Sequence, residues 1–175
     1  LNPIQGTRTV SFKVNDGQVD SGAATVSLNV ISVNDAPVAR AKISPLAQFP
    51  GLTNLVVISP NNTNATVVLD GTQSTDVEND PLQYTWWEGT NVIATGVRAT
   101  NIVDVGTHVI TLAVSDGMDS GLDTVTVEVI TPAQSVGILI SMVEQSNLSR
   151  QNRRPLIATL KAAAASFDAG RMTPG

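Results

Sequence analysis

The chain has 175 residues, 42% of them hydrophobic, with no cysteine and a single histidine, a composition that describes a folded globular chain. Without cysteine, disulfide scaffolds, thiolate catalysis and the common structural zinc sites are excluded. The formal net charge of -5 is unevenly spread, with 13 acids against 5 bases in residues 1–133 and 5 bases against 2 acids in residues 134–175, so nucleic acid is a poor partner for most of the chain.

In chain order, the start carries neither an initiating Met nor the basic flank, apolar stretch and cleavage site of a signal peptide, so Leu1 reads as a cut end. Val10, Phe12 and Val14 alternate with polar residues. Asp16-Gly17 then supplies turn chemistry, and Val26, Leu28 and Val30 alternate again. This period of two predicts a half-buried antiparallel hairpin. The stretch Phe12–Ile31 nearly recurs as Leu112–Ile130 with one residue dropped in the turn: VNDGQVDSG at Val14–Gly22 answers VSDGMDSG at Val114–Gly121. A repeated closing hairpin implies two β-sandwiches in tandem. Residues 1–36 therefore read as the tail of a sandwich whose earlier strands are missing, or are supplied by another chain.

Between the two copies, short strands are expected at Pro37–Ile43, Ala65–Leu69, Leu82–Trp87, Asn91–Ala94 and Ala99–Val103. The repeated hairpin follows at Thr107–Ser115 and Thr124–Ile130. NLVVI, within the long connection Ser44–Pro60, adds a candidate edge strand. The predicted fold class is thus mainly all-β: an immunoglobulin-like β-sandwich over 37–131, preceded by the partial sandwich 1–36. Residues 132–175 differ. Val136, Leu139, Ile140 and Val143 recur at helical spacing, as do Leu156, Leu160, Ala163 and Phe167 after Pro155. They predict an amphipathic helical hairpin with QSNLSRQNRR as its connection and Pro155 in the first turn of the second helix. Its apolar surface exceeds what two helices bury together, so a third helix, the sandwich or a partner must cover it.

Few residues offer chemistry. In DVEND, Asp76–Asp80, three carboxylates alternate along a loop, which suits either turn geometry or a hard cation such as calcium with its six to eight oxygen ligands. Asp70, Asp76, Glu78 and Asp80 lie in a solvated turn where nothing desolvates one carboxyl, so the pairing that glycoside hydrolysis needs is not met. Trp86 and Trp87 point to opposite faces of one strand, so one faces the core; the family resemblance given below implies that it is Trp86, which leaves Trp87 on the outer face or under the Ser44–Pro60 connection, where it either packs locally or stacks on a sugar ring. His108 has no second histidine to share a metal and reads as a structural hydrogen-bonding residue. Arg150, Arg153 and Arg154 form a solvated basic face or one that meets an acidic surface.

LDGTQSTDVENDPLQYTWWEG, Leu69–Gly89, followed by VGTHVITLAVSDGMDSGLDTVTVEV, Val105–Val129, resembles the PKD (polycystic kidney disease) family of immunoglobulin-like domains over about Pro37–Thr131. SVNDAPVA, Ser32–Ala39, resembles the linker that ends bacterial cadherin-like repeats. The PKD-type Phe-Gly-Asp-Gly turn is absent: Tyr84-Thr85-Trp86 continues into WEGTNVIATG. The resemblance implies a non-catalytic, tandemly arrayed module of a secreted or cell-surface bacterial protein, with neighbouring Ig-like domains as partners. It also implies calcium on Ser74, Asp76, Asp80 and Asp116; for linker residues Asn34 and Asp35 the readings are a simple Pro-stiffened turn and, as the cadherin-like resemblance implies, a second calcium position. The expected function is a structural or adhesion spacer. The alternatives are an accessory module that holds a secreted hydrolase on polysaccharide or protein, with Trp87 as the contact, and a subunit of an extracellular fibre.

Overall fold

The computed structural model describes residues 5–51 and 53–170, so Leu1, read above as a cut end, lies outside the described residues. Over the described residues the chain is mainly β, with ten strands followed by two helices. The first two strands, β1 (Gly6–Phe12) and β2 (Ala24–Val30), form a two-stranded antiparallel sheet of their own, with Val10 opposite Val26.

The next eight strands make two sheets that face each other. β3 (Lys42–Ser44), β5 (Asn64–Asp70) and β8 (Arg98–Asp104) form one, in the order β3-β5-β8. β4 (Leu55–Ile58), β6 (Gln83–Glu88), β7 (Asn91–Thr95), β9 (Gly106–Ser115) and β10 (Ser120–Ile130) form the other, in the order β4-β10-β9-β6-β7. This is an immunoglobulin-like β-sandwich. The candidate edge strand NLVVI is β4, which runs parallel to β10 at the sheet edge, with Val57 beside Val129.

Alternation in the sequence becomes alternation in burial. Val67 and Leu69 on β5, Ile110, Leu112 and Val114 on β9, and Val127 on β10 are fully enclosed. Trp86 is the largest of these side chains, and its ring N–H donates to the Gly96 carbonyl at 3.0 Å, so its one polar atom is satisfied inside the core. A bulge between Trp86 and Trp87 shifts the register against β7. Trp87 lies half-buried on the outer face, across from Thr111.

The expected strand Pro37–Ile43 is strand only from Lys42. Its earlier backbone groups find partners outside any ladder. Val38 exchanges two hydrogen bonds with Thr75, Arg40 N–H donates to Ser74 Oγ at 3.0 Å, and Ala41 N–H donates to Asp123 Oδ2 at 2.7 Å. The segment is thereby strapped across the β5–β6 loop and the start of β10. Gly121 makes room for it, since a Cβ at that position would stand 1.9 Å from the Pro37 carbonyl oxygen.

β10 runs almost directly into α1 (Pro132–Gln145), whose capping box pairs Thr131 with Gln134. α2 (Arg150–Asp168) starts earlier than expected, because Ser149 caps the Asn152 N–H; Pro155 therefore sits within the helix rather than in its first turn. The connection shortens to residues 146–149. The end of α2 touches the sandwich through the Asn62 side-chain amide, which donates to the Phe167 carbonyl at 3.0 Å. α2 buries no residue fully, and Leu139, Met142, Val143, Leu148, Leu156 and Leu160 line an open apolar groove between the helices.

Gly121→Ala tests the strap. The added methyl meets backbone, not a flexible side chain, so urea unfolding should show a loss of about 1–3 kcal/mol typical of overpacking. Wild-type stability would mean that the strap does not lie where described.

Candidate functional site

The sandwich gathers acids at one end. The β5–β6 loop brings Asp76, Glu78 and Asp80, the β9–β10 turn brings Asp116 and Asp119, and the linker before β3 brings Asn34 and Asp35. The turn is built by local hydrogen bonds: Asp116 Oδ1 accepts from the N–H groups of Met118 and Asp119, both at 2.7 Å, and Gly117 takes a φ of 97° that glycine reaches without strain. In the loop, Asp76 Oδ1 accepts from the Asp80 N–H at 3.1 Å, while Asn79 occupies the left-handed region at φ 61°.

Linker, loop and turn are joined by side chains. Asn34 Nδ2 donates to Asp116 Oδ2 at 2.9 Å and to Asp119 Oδ2 at 3.1 Å. One amide group thus separates two carboxylates that would otherwise repel each other. The Asp35 N–H donates to Glu78 Oε2 at 3.3 Å. Asp116 is held below the ordinary carboxylate range by the Asp119 N–H, then the Asn34 amide, then the Met118 N–H.

Two oxygens stand apart. Asp76 Oδ2 and Glu78 Oε1 are shut off from solvent and have no hydrogen-bond partner. A buried carboxylate oxygen without a donor is costly, and a water or an ion is the usual partner of such an atom; Asn62 Oδ1, at the other contact described above, is in the same state. Among the described residues, however, no three acidic or histidine side chains converge tightly enough to close a metal shell by themselves. Beside the loop, Ser32, Asn34, Glu78, Asp80 and Met118 line an open cleft of about 320 Å³.

The expected ligands are only partly assembled. Asp76 and Asp80 share the loop, but Ser74 is buried with its Oγ accepting from Arg40, and Asp116 is occupied by Asn34. Asn34 and Asp35 do not form a separate position: they close onto the same acidic end. Glu78 and Asp119 enter the site instead. The sequence showed both as acids, but their partners Asp35 and Asn34 lie 43 and 85 residues away along the chain.

The other candidates lie elsewhere. His108 Nδ1 sits 2.6 Å from Glu88 Oε1 and its Nε2 lies 2.8 Å from the Asp104 carbonyl, a structural arrangement at the start of β9. Asp70 pairs with Arg98 at 2.9 Å on the sandwich surface. Arg153 bonds the Glu144 carbonyl, which ties α2 back to α1.

No family model matches the chain, and no curated protein matches it. Among solved structures, the fibronectin(III)-like modules of CbhA from Clostridium thermocellum align at 16% identity with a TM-score of 0.35, over 73% of this chain and 64% of theirs. A nucleoside hydrolase-related hypothetical protein from Saccharophagus degradans, associated with carbohydrate metabolism, aligns at 16% identity with a TM-score of 0.37, over 57% of this chain and 26% of that one. The chain spans about a quarter of the second protein and just under two thirds of the first. No described helix is long and apolar enough to cross a membrane.

Asn34→Ala should raise the Asp116 pKa toward the ordinary 3.8, read by NMR titration of its carboxyl carbon. Because the folded value is depressed, Asp116 stabilises the fold above its unfolded pKa, and that contribution is lost as pH falls through the folded value. The variant should therefore lose part of this acid dependence. An unchanged Asp116 titration would show that the amide does not act on it.

Proposed function

We propose that this chain is a non-catalytic structural module of a larger secreted or cell-surface protein: a PKD-like sandwich over residues 37–131, preceded by the closing hairpin of a cadherin-like or Ig-like domain over residues 1–36 and followed by a helical segment, with calcium stiffening the junction. The observation that carries the reading is the pair of buried, unpartnered carboxylate oxygens, Asp76 Oδ2 and Glu78 Oε1, in the loop against which the linker closes. A hard divalent cation supplies the positive partner these oxygens lack. Asp76 and Glu78 are the residues that would hold it, with Asp80 beside them. The rest of its six to eight oxygens come from backbone carbonyls and water, in keeping with the small number of converging acids.

The tandem arrangement is supported by the repeat. Each residue on the apolar face of the β1–β2 hairpin has a counterpart in β9–β10: Phe12 answers Leu112, Val26 answers Val125 and Leu28 answers Val127. The counterparts lie inside the sandwich core, whereas Phe12, Val26 and Leu28 are about half exposed. A face written for burial and left open is the sheet half of a second sandwich. Trp87, the residue on which polysaccharide binding would rest, is half-buried, and a stacking platform needs an exposed ring face.

Melting in calcium and in EDTA tests the site. Calcium at about a hundred times its dissociation constant should stabilise the sandwich by roughly 2.7 kcal/mol, a shift on the order of ten degrees. Glu78→Gln should abolish the shift while leaving the EDTA melt near wild type. No calcium effect on the wild-type protein would return Asp76–Asp80 to ordinary turn chemistry.

A further inference from the structure

The two copies of the repeated turn share their backbone frame, but only the second holds a segment from elsewhere in the chain; in the first, Asp20 Oδ1 accepts from the Asn15 side-chain amide at 2.6 Å, which leaves its other oxygen to face outward. Asp16 Oδ1 accepts from the Gln18 and Val19 N–H groups, both at 2.9 Å, as Asp116 Oδ1 does from Met118 and Asp119. Gly17 and Gly117 share nearly the same φ, 100° and 97°. Asp20 and Gly22 stand where Asp119 and Gly121 stand in the second copy. There, the two aspartates receive the Asn34 amide and the missing Cβ of Gly121 admits the Pro37 backbone. In the first copy, a Cβ at Gly22 would meet nothing within 4 Å, and the turn borders an open cleft of about 380 Å³ lined by Val14, Asn15, Asp16, Val19, Asp20 and Ser21.

We propose that the first turn, Asn15–Gly22, is a docking site for an extended Asn-Asp-Ala-Pro segment, the linker of a further module of the same kind. Its Asn amide bridges Asp16 and Asp20 as Asn34 bridges Asp116 and Asp119, and its proline backbone crosses Gly22. The inference rests on the tandem-module reading but not on calcium. The glycine is the independent sign. In the second copy its lack of a side chain is required by the linker; in the first copy the same residue faces space that nothing fills. The correspondence ends past the proline, since Ala24 replaces Asp123 and offers no acceptor like the one that takes the Ala41 N–H.

The test is NMR titration of the labelled protein, in EDTA, with a synthetic peptide of the sequence Ser32–Ala39. The second turn already holds its own linker, so saturable shifts are expected at the amides of Asn15–Gly22, with a dissociation constant on the order of a millimolar for so few contacts. A peptide with Ala in place of its Asn should shift them at least tenfold less. Gly22→Ala should melt as wild type, because its methyl enters empty space, yet lose the peptide. Three results would overturn the proposal: no shifts at the first turn, equal shifts from both peptides, or undiminished binding to Gly22→Ala. Concentration-dependent dimers that Gly22→Ala dissolves would overturn the choice of occupant and assign the site to a second copy. Because calcium is absent throughout, a negative result leaves the calcium melt to be judged separately.

Discussion

The hairpin β9–β10 is the centre of the five-stranded sheet and supplies the inner face against which the three-stranded sheet closes. β9 pairs with β6 and β10 with β4, and their inward residues Ile110, Leu112, Val114 and Val127 supply much of the core against which Trp86, Val67 and Leu69 close. The outward uses of the hairpin are as many. Its turn receives Asn34, Gly121 lets the linker cross, Asp123 accepts from Ala41, and Ile130 leads through Thr131 into the first helix. A strand pair buried on one face and bonded along both edges has one register open to it, so the groups it carries at its ends are placed as firmly as the core itself. This makes the turn a suitable place to anchor a neighbouring segment.

Concentrating acids at that end of the sandwich has an electrostatic cost that the chain meets in stages. Backbone N–H groups bond Asp116 Oδ1 and Asp76 Oδ1 within their own turns, and one amide bridges Asp116 and Asp119. Asp76 Oδ2 and Glu78 Oε1 remain uncompensated. Under the proposed function a cation there would add to the Asp35 to Glu78, Val38 to Thr75 and Arg40 to Ser74 hydrogen bonds that already tie linker to loop.

The strands were legible because each buries one face, so Val67, Leu69, Ile110 and Leu112 repeat at the period of a pleated strand. Even NLVVI could be read as an edge strand from its apolar run. The linker could not: Val38, Arg40 and Ala41 look extended in sequence, but their hydrogen bonds go to Thr75, Ser74 and Asp123, and no local pattern announces such partners. Pro155 misled in a different way, since Ser149 caps the helix a turn and a half earlier. At the site, the acids of DVEND were visible as donors of oxygen, whereas the part taken by Glu78 and Asp119 depends on contacts across 43 and 85 residues. The repeat carried more than the motif did: comparing its two copies shows which contacts one of them lacks.

The proposed function is mechanical: a cation at the acidic end would restrict the hairpin β1–β2 relative to the sandwich. With no native cysteine, the variant Thr9→Cys/Thr100→Cys can be spin-labelled at those two exposed positions alone. Pulsed electron resonance would then read the distance distribution between hairpin and sandwich, in calcium and in EDTA. The account predicts a single narrow distribution in calcium that broadens in EDTA, and that stays broad in both when Glu78 is replaced by Gln. Equal widths in calcium and EDTA would contradict it.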